Sequence, residues 1–251
     1  MSFEDIVIFM ASHGKRRHVK RLAKPKAVPI PAKKAVYLKK VHPGPHSDHS
    51  SVGVGTMLIE LLKVAKTARE ARTLLRSGAV LVDGRSVRDM GFPVGLMDSV
   101  SIPLTQLYFR VTFDKGKLVF EKITPENAKF KLCRVNSKTR LSKSKTQLNL
   151  HDGRNILVED GSKYSTGGTL KVSLPDQEIL EFLPLSKGAN CFVYQGRHSG
   201  SVAVLEELFE REASHATEAR LSSGDGNAFT TLKNYLFVVD PEFVQAKQPL
   251  G

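Results

Sequence analysis

Arg69, Arg72 and Arg76 recur at spacings of three and four residues. On a helix, 100° per residue brings them within about 60° of one another. A guanidinium keeps its charge at any working pH and carries forked donors that match phosphate oxygens, so three on one face make a phosphate-binding surface. A plain solvated helix face has the same pattern, and two further runs of cations bear on the choice. Lys15, Arg16, Arg17, Lys20 and Arg21 lie in a stretch, Ile6 to Ser47, that holds 11 Lys and Arg and no acid. Lys129, Lys131, Arg134, Lys138, Arg140, Lys143 and Lys145 follow farther on, and no acid occurs between Asn127 and Leu150. Three runs with one sign of charge point to a polyanionic partner.

Other chemistries find little support. His151-Asp152 has residue types for acid–base work, but Asp152-Gly153 reads first as a turn. His42, His46 and His49 sit in a proline-rich stretch with no fixed fourth ligand, so no metal site is expected there. Cys133 and Cys191 stand 58 positions apart with no C-x-x-C pair. This excludes a zinc ribbon and a disulfide scaffold and fits a reducing compartment. No phosphate-loop motif G-x-x-x-x-G-K-[ST] is present, which argues against nucleotide hydrolysis. No cofactor and no catalytic residue is expected.

The elements that must position the arginines are legible. Residues 55–66 place Met57, Leu58, Leu61, Leu62 and Ala65 at helical spacing. Thr67 with Glu70 three residues later is a capping box that starts a second helix, and Gly78 is a left-handed stop. On that helix Ala68, Ala71, Leu74 and Leu75 oppose the arginines; Lys66 stands just before it. Val80 and Val82 then alternate toward Asp83-Gly84, a tight hairpin turn, and Val100-Ser-Ile102 is a further strand. Residues 104–180 alternate in short apolar runs between Asp-Gly turns, which suggests a β domain carrying the basic loop 134–146. Past Ser186, short strands at Asn190–Tyr194, Ser201–Leu205 and Tyr235–Val239 suggest a small barrel. Glu206, Glu207, Glu210, Glu212 and Glu218 make this last third mildly acidic.

The bulk numbers agree. A chain of 251 residues with net charge +13 accommodates one to three small domains with cores. Its pI is about 9.8. The excess charge lies in the first 47 residues, where Pro25, Pro29, Pro31, Pro43 and Pro45 forbid a long helix. That arm has too little apolar surface to fold alone and is expected to be mobile up to about His46. No run reaches the ~18 apolar residues of a membrane span. The opening apolar run is preceded by Glu4 and Asp5, so no secretory leader is expected.

The two helices, the arginine face and Gly78-x-Val80-x-Val82-Asp83-Gly84 resemble the S4-type RNA-binding domain. With His18–Pro25, Pro43-Gly-Pro-His46, Phe92–Asp98, Lys129–Arg134 and Gln147–Asn155 in this order, the chain from about Gly14 to Val239 resembles the ribosomal protein S4e family, in its archaeal form. The segment around Lys187-Gly188 and Gln195-Gly196 is similar to a KOW motif, with Ala203 where that motif has a second glycine, a departure that bears on RNA contact more than on fold. The resemblance implies a multi-domain α+β chain. It would comprise a basic arm (1–47), an S4-type domain of two helices and a hairpin (48–103), a middle β domain (104–183) and an SH3-like KOW barrel with a tail (184–251). It implies a non-catalytic constituent of the small ribosomal subunit in the cytoplasm. Its partners would be 16S-type ribosomal RNA and neighbouring ribosomal proteins, with no DNA and no membrane, and it would be a monomer within the ribosome. The expected RNA contacts are Lys15, Arg16, Arg17, Lys20, Arg21, Lys66, Arg69, Arg72, Arg76, Arg134, Lys138 and Arg140. S4-type domains also accompany pseudouridine synthases, but Gly84-Arg-Ser-Val-Arg-Asp89 has the wrong spacing for that family's catalytic aspartate. The competing reading is a free RNA-binding regulator or a transcription-linked KOW adaptor, for which an 11-charge arm has no use. Glu4 and Asp5 oppose the arm's electrostatics and the apolar patch Ile6–Phe9 has no evident partner, so the natural start is expected at Met10, the alternative being a true extension docked by that patch on a neighbour.

Overall fold

The computed structural model describes residues 19–141, 145–209, 217–223 and 228–247. The expectations for residues 1–9, for Lys15, Arg16 and Arg17, and for Lys143 fall outside these residues.

Strand β1 (Val19–Lys20) pairs with β2 (Tyr37–Leu38), and the chain between them runs through a 3-10 turn at Arg21–Ala23 and further turns, with prolines that forbid a long helix. The segment has no core of its own, yet it is not free. Ala27, Val28 and Ile30 are buried in the same core as the helices that follow. The Leu118 amide donates to the Ala27 carbonyl at 2.8 Å. Arg21 is 2% exposed. Its two terminal nitrogens donate to the Glu60 carboxylate at 2.9 and 2.8 Å, and its Nε donates to the Pro31 carbonyl at 2.6 Å. Two expectations are corrected. Residues 19–47 are docked on the fold, and Arg21 is an internal residue whose charge is neutralised, not an RNA contact. Composition could not show this, because the apolar surface that the arm lacks belongs to the domain beside it.

Next come β3 (Val52–Gly53), α1 (Val54–Thr56) and a π-helical turn over Met57–Leu61. The Leu62 amide reaches back five residues to the Met57 carbonyl at 2.9 Å. Lys63 then adopts φ +54°, and the helix expected over 55–66 ends at Leu62. The wide turn puts Met57 and Leu58 side by side in the core, both fully buried. Helix α2 (Ala68–Arg76) begins as expected, with the Glu70 amide donating to Thr67 Oγ1 at 3.2 Å. The Glu70 carboxylate accepts from the Lys66 amide at 2.8 Å, one residue earlier than a strict capping box would have it. At the other end Gly78 has φ +75°, its amide donates to Leu75, and the Ala79 amide donates to Leu74. That is a Schellman stop, and it requires the left-handed conformation that glycine alone adopts without strain.

Strands β4 (Leu81–Val82) and β5 (Arg85–Ser86) flank Asp83 and Gly84, with φ +51° and +73°, a type I′ hairpin. Strand β6 (Pro93–Val94) returns to β3, and β7 (Ser99–Ile102) joins β4. Strands β8 (Leu107–Asp114) and β9 (Lys117–Lys122) complete one sheet in the order β5-β4-β7-β8-β9. Ile102 pairs with Leu107, so the boundary expected at 103/104 falls inside this sheet. The second sheet starts at β10 (Phe130–Arg140), followed by β11 (Thr146–Leu150), β12 (Asn155–Val158), β13 (Thr169–Ser173) and β14 (Ile179–Leu183). Its order is β12-β11-β10-β13-β14. Residues 130–134 of β10 pair with β13, and after an irregularity between Val135 and Ser137 the strand pairs with β11. The third sheet contains β15 (Asn190–Val193), β16 (Val202–Phe209), β17 (Glu218–Ser222), β18 (Ala228–Leu232) and β19 (Leu236–Val238), ordered β18-β17-β16-β15-β19. Helix α3 (Pro241–Lys247) follows, and Phe243 packs on the first core.

The Arg21–Glu60 pair makes the docking of residues 19–47 testable. Removing one partner of a buried ion pair strands the other, at roughly 3–5 kcal/mol. Glu60→Ala should lower the unfolding free energy in urea by about 3 kcal/mol and expose the Arg21 peptide bond to trypsin. A loss below ~1 kcal/mol would class the pair with ordinary surface bridges.

Candidate nucleic-acid interface

Helix α2 sets the arginine face. Ala71 and Leu75 are fully buried, which fixes the helix rotation, and Arg69, Arg72 and Arg76 are exposed on the other side with Lys66. Ala68, expected on the packing side, is exposed. Glu70, the helix's own carboxylate, is turned back onto the Lys66 amide. Among the described residues none of these four cations is in an ion pair. Arg85 and Arg88, exposed on and just after the β4–β5 hairpin, stand next along the chain. Arginines on a hairpin carry no periodicity signal that would mark them in the sequence.

The second basic run is divided by the fold. Arg140 is exposed, as is Lys20 of the first run. Lys138 is exposed but engaged, its Nζ donating to the carbonyls of Gly161 (3.0 Å) and Tyr164 (2.6 Å). Arg134 ties the second sheet to the third: Nη1 donates to the carbonyls of Asn234 and Leu236, while Nε and Nη2 donate to Asn136 Oδ1 at 3.1 and 2.9 Å. Lys131, read with the polyanion-seeking run, is fully buried.

Around Lys131 lies a cluster that the sequence did not disclose. Its Nζ is 2.8 Å from Asp83, 2.6 Å from Asp98 and 3.0 Å from Asp152. Arg154 closes the group on Asp83 and Asp152, and His46 Nε2 lies 2.9 Å from Asp98 Oδ1. The remaining carboxylate oxygens accept from backbone: Asp98 Oδ2 from Gly95 (2.9 Å), Asp83 Oδ1 from Ser99 (3.0 Å), Asp152 Oδ1 from Arg154 (3.2 Å). A side chain at Gly95 would run into the His46 imidazole, so glycine is needed for that approach. Burial pulls the Lys131 pKa down, but Asp83 and Asp98 outweigh it and hold the ammonium charged. Burial likewise acts to raise Asp98, yet His46 and Lys131 hold it well below the carboxylate range; Asp152 is lowered too, against burial, chiefly by Lys131. Asp83 is raised by burial. The turn aspartate of the hairpin is therefore also a charge partner, and Asp152 is more than a turn residue.

Cys133, His151 and Asp152 offer ligand atoms within 4.8 Å of one another. They do not fit a metal. His151 Nδ1 accepts from the Arg134 amide at 3.3 Å and Nε2 faces the Leu96 carbonyl at 3.2 Å, so both ring nitrogens are engaged. Burial holds the Cys133 thiol far from ionisation, and the Lys131 ammonium beside Asp152 repels a cation. Burial and Lys131 also push His151 down to about 3, so the ring is neutral in the fold.

A histidine whose pKa is lower folded than unfolded makes stability fall with acidity. The unfolded chain takes up a proton below ~pH 6.5 that the folded one refuses. His151 should therefore contribute a slope of about one proton to the unfolding free energy between pH 6 and 4. Urea unfolding across that range should show His151→Gln losing this part of the slope; an unchanged slope would contradict the neutral, half-buried ring.

A family model for the S4 domain matches residues 57–100, and one for the ribosomal family S4e matches residues 105–179. The small ribosomal subunit protein eS4 of Methanothermobacter thermautotrophicus is 43% identical over 231 residues, covering 92% of this chain and 95% of that protein. Its counterpart in Methanocaldococcus jannaschii is 40% identical over 242 residues, covering 93% and 98%. The crystal structure of the 30S ribosomal protein S4e from Thermoplasma acidophilum superposes with a TM-score of 0.65 at 32% identity, covering 76% of this chain and 95% of that one. With an S4 domain carrying the unpaired arginine face, and relatives of this similarity along nearly its whole length, the chain belongs to the ribosomal protein S4e family, which is not a family of enzymes.

Proposed function

We propose that this chain is a structural constituent of the small ribosomal subunit of archaeal type. It binds 16S-type ribosomal RNA through phosphate contacts and supports assembly and translation beside neighbouring ribosomal proteins, as a monomer in the cytoplasmic ribosome. The observation that carries this is the exposed face of Lys66, Arg69, Arg72 and Arg76, none of them in an ion pair among the described residues, on a helix anchored by the fully buried Ala71 and Leu75. Cations held on a rigid element at fixed spacing follow an RNA backbone by shape and phosphate, and each neutralised phosphate releases counterions. Lys20, Arg140, Arg85 and Arg88 extend the contact, and Lys15, Arg16 and Arg17 add to it from the chain start. Arg21 is withdrawn from the set. The third sheet, with its short antiparallel strands and glycine turns, is read as the SH3-like KOW unit. Its acidic β16–β17 hairpin suits a protein neighbour better than RNA.

Replacing Arg69, Arg72 and Arg76 together by Ala should leave the fold intact, because Ala71 and Leu75 are untouched. It should flatten the dependence of log K on log salt for ribosomal RNA by roughly 2–3. An unchanged slope would refute the phosphate assignment. Sedimentation of the native protein with small subunits after a high-salt wash, rather than in a free or polymerase-bound pool, separates the ribosomal role from a regulator.

A further inference from the structure

Two cavities of about 500 and 350 Å³ adjoin where the second and third sheets meet, and both are lined by Arg134 and Asn136. The first also holds Lys26, His49, Tyr194 and Phe237; the second holds Lys233. Among the described residues no Asp or Glu lines either one. Among the described residues Arg134 is oriented by carbonyl and amide oxygens alone, and none of them is a carboxylate that would neutralise its charge. Its guanidinium lies over the Tyr194 ring, 5.6 Å from the centroid. The Tyr194 hydroxyl is tied to the Asn234 carbonyl at 2.7 Å, which holds the ring in place. Behind it Phe237 meets the neutral His151 edge-on at 5.3 Å.

We propose that this groove receives a single-stranded segment of RNA, with an unpaired base stacked in the Tyr194–Arg134 corner and flanking phosphates met by Lys26 and Lys233. A positively charged track beside an aromatic ring and a guanidinium plane is what unpaired nucleotides recognise, because every base has a π face and every linkage a charge. A duplex cannot use such a corner, since its bases are already stacked. A basic protein tail, the other occupant of comparable shape, would meet only cations here. The inference deepens the RNA-binding reading and rests on it, but it concerns a surface distinct from helix α2.

Ultraviolet crosslinking of intact small subunits tests it. Nucleotide adducts should appear on tryptic peptide 188–197, which contains Tyr194, or on 234–247, which contains Phe237. In solution, the full chain carrying Tyr194→Leu should bind a uridine hexanucleotide about tenfold more weakly, the loss expected for one stacked base. Tyr194→Phe, which keeps the ring and loses the tie to Asn234, should stay within twofold. Adducts confined to helix α2 and the β4–β5 hairpin, with none on the peptides that carry Lys26, Tyr194 or Phe237, would overturn the groove while leaving the RNA-binding reading standing. Equal losses in both Tyr194 variants would also overturn it, since the hydroxyl tie rather than stacking would then account for the effect. Absence of the chain from small subunits would sink the broader reading along with it.

Discussion

The ammonium of Lys131 is fully enclosed by three carboxylates, and those carboxylates come from separate parts of the chain. Asp83 belongs to the β4–β5 turn, Asp98 to the approach to β7, and Asp152 to the turn after β11. His46 brings the docked N-terminal segment onto Asp98, and Arg154 covers the remaining side. Buried charges are costly to desolvate, so such a group is a weak guarantee of net stability; its value lies in the penalty for any arrangement that leaves a member unpaired. The ammonium joins the first sheet to the second, and the N-terminal segment is added to the same cluster through His46 on Asp98. Every carboxylate oxygen in the group has a partner, which is the condition under which a buried polar network specifies a structure.

The fold sorts the cations of a strongly basic chain into two populations. Arg21, Lys131 and Arg154 face inward onto Glu60, Asp83, Asp98 and Asp152, and their charge is cancelled there. Arg110, also buried, donates to the carbonyls of Asn127 and Phe130, and burial brings it down to about 10. The outward population on helix α2 has no such partners, so its field reaches solvent. Internal pairing removes cations and acids together from the surface balance, so the outer surface keeps the chain's positive excess. The internal pairs are shielded from salt, and the outer cations respond to it.

Arg134 stands between the two groups. It fastens the second sheet to the third through backbone carbonyls, which fix its geometry without removing its charge. The same guanidinium can thus be a structural strap and part of an RNA-facing groove. Fastening by neutral acceptors preorganises the side chain, so little further ordering is required when an anion arrives.

Local pattern by itself determined much of this protein. The Thr67 cap, the Gly78 stop, the Asp83-Gly84 hairpin and the arginine spacing on α2 each depend on residues within one turn or one strand, and the structure has all four. What lay beyond reach is non-local. Arg21 and Arg69 look alike as residues in basic stretches, and only the placement of Glu60, 39 positions away from Arg21, separates a buried ion pair from an exposed cation. Lys131 sits in an acid-free run, and its three carboxylates arrive from positions 83, 98 and 152. The end of the first helix at Leu62 reflects tertiary packing, which places Met57 and Leu58 together in the core through a π turn that periodicity does not foresee. Charge patterns along a chain report how many cations there are; only the packing of distant segments decides which keep their charge for a partner.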